Sequence, residues 1–90
     1  MSNFYFSAGE KERHVIVFKI NKWLARYKIL VDGKPLRKGS KKIAYSPRRM
    51  TFKIGEEEKH KICIVLEKNG ILEFEAKVSI DGRLLDTYRL

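Results

Sequence analysis

Few residues in this chain have types and spacings that could do chemistry: one cysteine, two histidines, a run of three glutamates and a long basic segment. Cys63 lies inside the apolar run Ile62-Cys-Ile-Val-Leu66. A nucleophilic thiol needs a base beside it, itself held by a third group. Cys63 has β-branched neighbours and no local anion stabiliser, so it reads as a structural or edge-strand cysteine. His14 and His60 each open an apolar run and read as strand-end residues. One Cys and two His at no recognised metal spacing give no expectation of zinc. Glu56-Glu-Glu58 would point in different directions around a turn, which suits a solvated acidic turn offsetting nearby lysines better than a cation site. The glycines at turns (Gly33, Gly55, Gly70, Gly82) form no phosphate-cradling cluster ahead of a helix. No catalytic residue, metal or cofactor is expected, and the chain reads as non-enzymatic.

The basic segment carries the strongest functional signal. Lys34, Arg37, Lys38, Lys41, Lys42, Arg48, Arg49 and Lys53 are eight cations with no acidic residue among them. The whole chain has 20 basic and 11 acidic residues, so 12 and 11 remain elsewhere and the rest is nearly neutral at +1. Tyr45 and Phe52 lie among these cations, and single-stranded nucleic-acid surfaces combine backbone attraction with base stacking in this way. The segment is thus a candidate polyanion site, with Tyr45 and Phe52 as candidate stacking residues. The plainer reading, in which lysines solvate edge strands and block edge-to-edge association, is preferred.

The elements that must position these residues are strands. At 90 residues the chain is one domain with a modest core, burying roughly 60–65% of its unfolded surface. No apolar run approaches the ~18 residues of a membrane span, and no secretory signal is seen at the N-terminus. A lone cysteine suits a cytoplasmic protein. The absence of Gln, with abundant Lys, Arg and Glu, follows a thermophile's bias.

Residues 1–13 are an N-terminal segment in which Phe4 and Phe6 could anchor an edge strand; residues 14–90 form the β domain. Val15-Ile-Val-Phe18 and Ile20 make a strand apolar on both faces, as if buried on both sides. Trp23 to Val31 follows, with Trp23, Ala25, Tyr27, Ile29 and Val31 on one face. Asp32-Gly33 turns it back, and Pro35 suits an edge position. Ile43-Ala44-Tyr45 and Met50–Ile54 read as two short strands around a turn at Ser46-Pro47-Arg48-Arg49. The final hairpin joins His60–Leu66 to Leu72–Ile80. A Lys68-Asn69-Gly70 loop would pair Leu66 with Leu72, Ile64 with Phe74 and Ile62 with Ala76, keeping the apolar faces together.

The chain also repeats. Lys28-Ile-Leu-Val-Asp-Gly-Lys-Pro-Leu36 returns as Lys77-Val-Ser-Ile-Asp-Gly-Arg-Leu-Leu85, and the preceding Val15–Ile20 aligns with Ile62–Glu67. The expectation is an all-β fold: a small antiparallel β-sandwich, or a partly open barrel, of six to seven strands with an internal strand–hairpin repeat. Such a sandwich has edges, and it is expected as a monomer or as a homodimer through edge strands.

Four features occur in order: Tyr27-Lys-Ile-Leu-Val-Asp-Gly-Lys34, Phe52-Lys-Ile-Gly55 with its Glu-Lys-His connection, Ile62–Leu66, and Phe74-Glu-Ala-Lys-Val-Ser-Ile-Asp-Gly-Arg83 ending near Tyr88. Their order and spacing resemble the N-terminal domain of the Fas apoptotic inhibitory molecule family over about residues 14–88. That resemblance implies a compact, non-enzymatic antiparallel β-sandwich that binds other proteins; it implies no catalytic or ligand residues. The single domain and the basic middle depart from the family, so a signalling role does not carry over. The sequence thus points to a protein-interaction module with no membrane role and, as the alternative, to a nucleic-acid-binding β-domain using residues 34–53.

Overall fold

Ile62, Ile64 and Leu66 are buried at every second position of their run, as are Ile16, Phe18 and Ile20 in theirs. A two-residue period belongs to extended backbone. In the computed structural model, which describes residues 2–24, 26–36, 41–42, 48–70 and 73–90, every regular element is a strand. There are nine: β1 (Ser2–Ala8), β2 (His14–Asn21), β3 (Arg26–Val31), β4 (Lys34–Pro35), β5 (Lys41–Lys42), β6 (Arg48–Ile54), β7 (His60–Lys68), β8 (Phe74–Ile80) and β9 (Arg83–Arg89). One antiparallel sheet runs β1-β2-β3-β4, with β5 also pairing β3, and the other runs β6-β7-β8-β9. Both sheets are open. The protein is an all-β sandwich-like fold with repeated halves; seven of its strands have six to nine residues, matching the six or seven expected, and the two-residue β4 and β5 are additional.

The core is the pair of inward faces. Phe4, Phe6, Ala8, Ile16, Phe18, Ile20, Tyr27 and Ile29 come from the first sheet; Met50, Ile54, Ile62, Ile64, Leu66, Phe74, Ala76 and Val78 come from the second. An aromatic ladder ties them together. Tyr27 stacks on Phe18 at 5.8 Å, Phe18 on Phe4 at 5.1 Å, and Phe4 on Tyr88 of the opposite sheet at 4.2 Å. Offset-stacked rings at such separations add to simple area burial.

Both Asp-Gly turns form as expected. Asp32 and Gly33 have φ of 52° and 80°, and Asp81 and Gly82 have 52° and 83°. The flanking pairs Val31–Lys34 and Ile80–Arg83 close two-residue hairpins whose twist suits the strands. Pro35 takes the expected edge position.

Four local expectations are corrected. β2 is buried on one face only, since Val15 remains 43% exposed. β3 begins at Arg26, and Trp23 sits in a turn at 81% exposure. There the Asn21 side-chain oxygen accepts the N–H groups of Trp23 (3.1 Å) and Leu24 (3.2 Å), stopping the strand. Arg48 and Arg49 open β6 instead of lying in a turn.

The β7–β8 register also differs: Leu66 faces Ala76, Ile64 faces Val78 and Ile62 faces Ile80. This is a slide of four residues, an even number, so it keeps the apolar faces together and side-chain parity cannot distinguish the two registers. The selecting contacts are polar. The observed register brings Asp81 to His60 and to the Lys61 N–H, and the Asn69 N–H closes the longer loop on the Glu73 carbonyl at 2.9 Å. Leu72 lies outside the described residues.

Candidate functional site

At one end of the sandwich the β1–β2 and β6–β7 connections meet. Gly9 (φ 99°) and Gly55 (φ 93°) open the two loops with left-handed backbone. A Cβ on Gly9 would lie 2.0 Å from the Glu12 carbonyl oxygen, and one on Gly55 would lie 2.0 Å from that of Glu58. Only glycine permits loops this tight. The tight turn aims successive N–H groups into one concavity, which suits an anion.

Each concavity is filled by a carboxylate from the other half. Glu58 accepts the N–H groups of Glu10 (2.8 Å), Lys11 (2.8 Å) and Glu12 (3.4 Å). Glu12 accepts those of Glu56 (2.8 Å), Glu57 (2.9 Å) and Glu58 (3.5 Å). Behind each carboxylate stands a histidine. His14 Nε2 meets Glu12 and its Nδ1 meets Asp32. His60 Nε2 meets Glu58 and its Nδ1 meets Asp81 at 2.6 Å. Asp32 and Asp81 also accept the Val15 and Lys61 N–H groups, each at 2.9 Å.

An ionised carboxylate only accepts hydrogen bonds, so a ring bonded to one at each nitrogen must donate from both and is an imidazolium. The bonds from Asp32 and Glu12 raise the pKa of His14 above its ordinary 6.5, and those from Glu58 and Asp81 raise that of His60. Reciprocally, the His14 bond and the loop N–H groups lower Glu12 from 4.5 to about 2, and the His60 bond with its own loop does the same for Glu58. With both nitrogens engaged, neither histidine offers a lone pair to a proton or a metal. The arrangement is a reciprocal clasp between the halves. Among the described residues no cluster of three or more His, Cys, Asp or Glu is placed to hold a metal ion.

The clasp corrects two sequence readings. Glu58 is not simply solvated but bridges to the other half, and the histidines are more than strand ends. A signal for it was present: Gly9-Glu-Lys-Glu-Arg-His14 recurs as Gly55-Glu-Glu-Glu-Lys-His60, with Glu12 and Glu58 separated by 46 residues. The strand after each histidine follows the same offset, so Ile16 corresponds to Ile62, in place of the Val15-to-Ile62 alignment expected.

The predicted basic residues divide between two sheet edges. Lys34 is exposed on β4, while Lys41 and Lys42 form β5 opposite Tyr27 and Arg26. Arg48, Arg49 and Lys53 lie on β6, where Arg49 and Lys53 are exposed. Lys53 stands opposite Lys61. Lys34, Arg49 and Lys53 have no carboxylate partner among the described residues. Phe52 is half-buried against the core, leaving only part of its ring for stacking. Arg37, Lys38 and Tyr45 lie outside the described residues. Cys63 is half-buried on the central strand β7, with the Thr51 hydroxyl 4.0 Å from its sulfur.

No family profile, curated protein or solved structure matches the chain. No helix among the described residues is long and apolar enough to cross a membrane.

Proposed function

We propose that this chain is a non-enzymatic binding module whose partner is another protein, engaged at the β2–β3 turn. The observation that carries this reading is Trp23, 81% exposed beside Leu24 at 60%, both on a turn shaped by Asn21. Tryptophan is enriched among residues that dominate protein interfaces. The polar residues that could have served catalysis are consumed by the clasp, and the resemblance to the Fas apoptotic inhibitory molecule domain points the same way. The lone half-buried thiol of Cys63 fits the reducing cytoplasm, the compartment this reading assigns.

The test uses the immobilised protein and its Trp23→Ser/Leu24→Ser variant in cytosolic extract. Proteins retained at high salt by the native chain and lost by the folded variant support the reading. An unchanged set removes it.

A second reading has its own support: the chain carries a net charge of +9, and Lys34, Arg49 and Lys53 have no carboxylate partner among the described residues. In this reading Lys34, Arg37, Lys38, Lys41, Lys42, Arg48, Arg49 and Lys53 contact nucleic-acid phosphates. Trp23 is the only tryptophan, so its emission reports titrations with single- and double-stranded oligonucleotides. Affinity falling steeply between about 50 and 200 mM salt, and collapsing when Lys41, Lys42, Arg48 and Arg49 are charge-reversed, supports it. No binding at low salt eliminates it.

A further inference from the structure

Four strand edges border the two sheets, and three carry features that discourage pairing with another chain. The β4/β5 edge has Pro35, which lacks an N–H, and the cations Lys34, Lys41 and Lys42. β9 has Arg83, Asp86 and Arg89 and is broken by a register shift opposite Val78 and Ser79. β6 has Arg48, Arg49 and Lys53. Charge, proline and bulges are the usual protections of an edge.

β1 has none of them. Its sequence, Ser2-Asn-Phe-Tyr-Phe-Ser-Ala8, contains no charge, proline or glycine. It pairs with β2 in unbroken register from Ser2–Ile20 to Ala8–His14, and among the described residues its other side has no backbone partner. The contrast with β6 is an internal control, because β6 holds the equivalent place in the other half: both precede a Gly-Glu-x-Glu-x-His loop.

We infer that β1 is the seam through which two copies of this chain join, edge to edge and antiparallel, about a twofold axis at Tyr5. The sequence of the strand is self-complementary in that register. Tyr5, 73% exposed on the outer face, meets its own copy. Phe4 stands opposite Phe6 on the core side, Asn3 opposite Ser7, and Ser2 opposite Ala8. Aromatic cross-strand pairs stabilise a ladder. The same operation on β6 would oppose Arg49 to Lys53, and on β9 Asp86 to itself and Arg83 to Arg89, all like charges. Only β1 fits a second copy, and the product is a continuous sheet passing from β4 through β1 into the partner's β1. The seam is built from β1 residues and shares none with the Trp23 turn, although Ser2 pairs with Ile20 just before that turn, and it does not depend on the function proposed above.

Sedimentation equilibrium over a concentration series tests the inference. The native chain is expected at twice its 10.6 kDa mass. Tyr5→Lys, which changes an outward side chain, should raise the dimer dissociation constant by about tenfold or more while circular dichroism stays native. Ser7→Lys is a second variant with the same expectation. In a Cys63→Ser background, Tyr5→Cys should cross-link two chains on mild oxidation, since paired Cα atoms in a ladder lie within disulfide reach. A native chain that stays at 10.6 kDa, a dimer indifferent to both lysine substitutions, or a Tyr5→Cys chain that does not cross-link overturns it.

Discussion

His14 and His60 give the fold a bounded pH range. A histidine raised above 6.5 contributes stability that is complete below 6.5 and is lost as pH rises through the higher folded value. Glu12 and Glu58 act in the opposite sense: their contribution is complete above 4.5 and is lost as pH falls toward about 2. The melting temperature should therefore be highest between 4.5 and 6.5 and fall on both sides. In a His14→Gln/His60→Gln variant, calorimetry should show the alkaline decline flattened. Glu12→Gln should act at a distance, because the lost carboxylate closes the other half's loop. Hydrogen exchange should accelerate at the Glu56, Glu57 and Glu58 amides, and protection there equal to that of the native chain would refute the clasp. Gly9→Ala forces both a left-handed alanine and a 2.0 Å collision, whereas Gly33→Ala meets no atom within 4 Å. Both should destabilise by about 1–3 kcal/mol in urea titrations, with Gly9→Ala the worse. The repeated Gly-Glu-x-Glu-x-His made these residues legible as a pair, but which half each carboxylate would serve is a tertiary fact.

At the scale of elements, the strands could be read where burial alternates and could not where polar contacts decide. The two Asp-Gly hairpins follow from backbone chemistry confined to two residues, so they were legible. The β7–β8 register was not, because two registers of equal parity satisfy the apolar pattern and Asp81 chooses between them. Trp23 lies outside the strand that its period-two spacing with Tyr27 implies, because the Asn21 side chain captures two N–H groups before that spacing can continue as a ladder. Val15-Ile-Val-Phe18 gave no alternation at all, and only packing shows which face is inside. Burial on one side makes a direct prediction. Phe18→Ala, at a fully buried rung of the aromatic ladder, should cost about 3–5 kcal/mol. Val17→Ala on the half-buried outer face should cost clearly less in the same titration.

Across the whole molecule, charge is arranged by end as well as by segment. Seven of the 11 carboxylates (Glu10, Glu12, Asp32, Glu56, Glu57, Glu58 and Asp81) belong to the connections that form or flank the clasp. Lys11, Arg13, Lys59 and the two imidazolium rings stand among them, so that end concentrates charge of both signs while staying close to neutral overall. The reciprocity of the clasp reaches further than stability. Each half carries a loop that it cannot close and a carboxylate with no loop of its own to fill, so each is an incomplete object whose complement is a near-copy of itself. A chain cut between β5 and β6 should yield two fragments that are unstructured apart and reassemble one-to-one when mixed, recovering the near-ultraviolet dichroism of the ladder from Tyr27 to Tyr88.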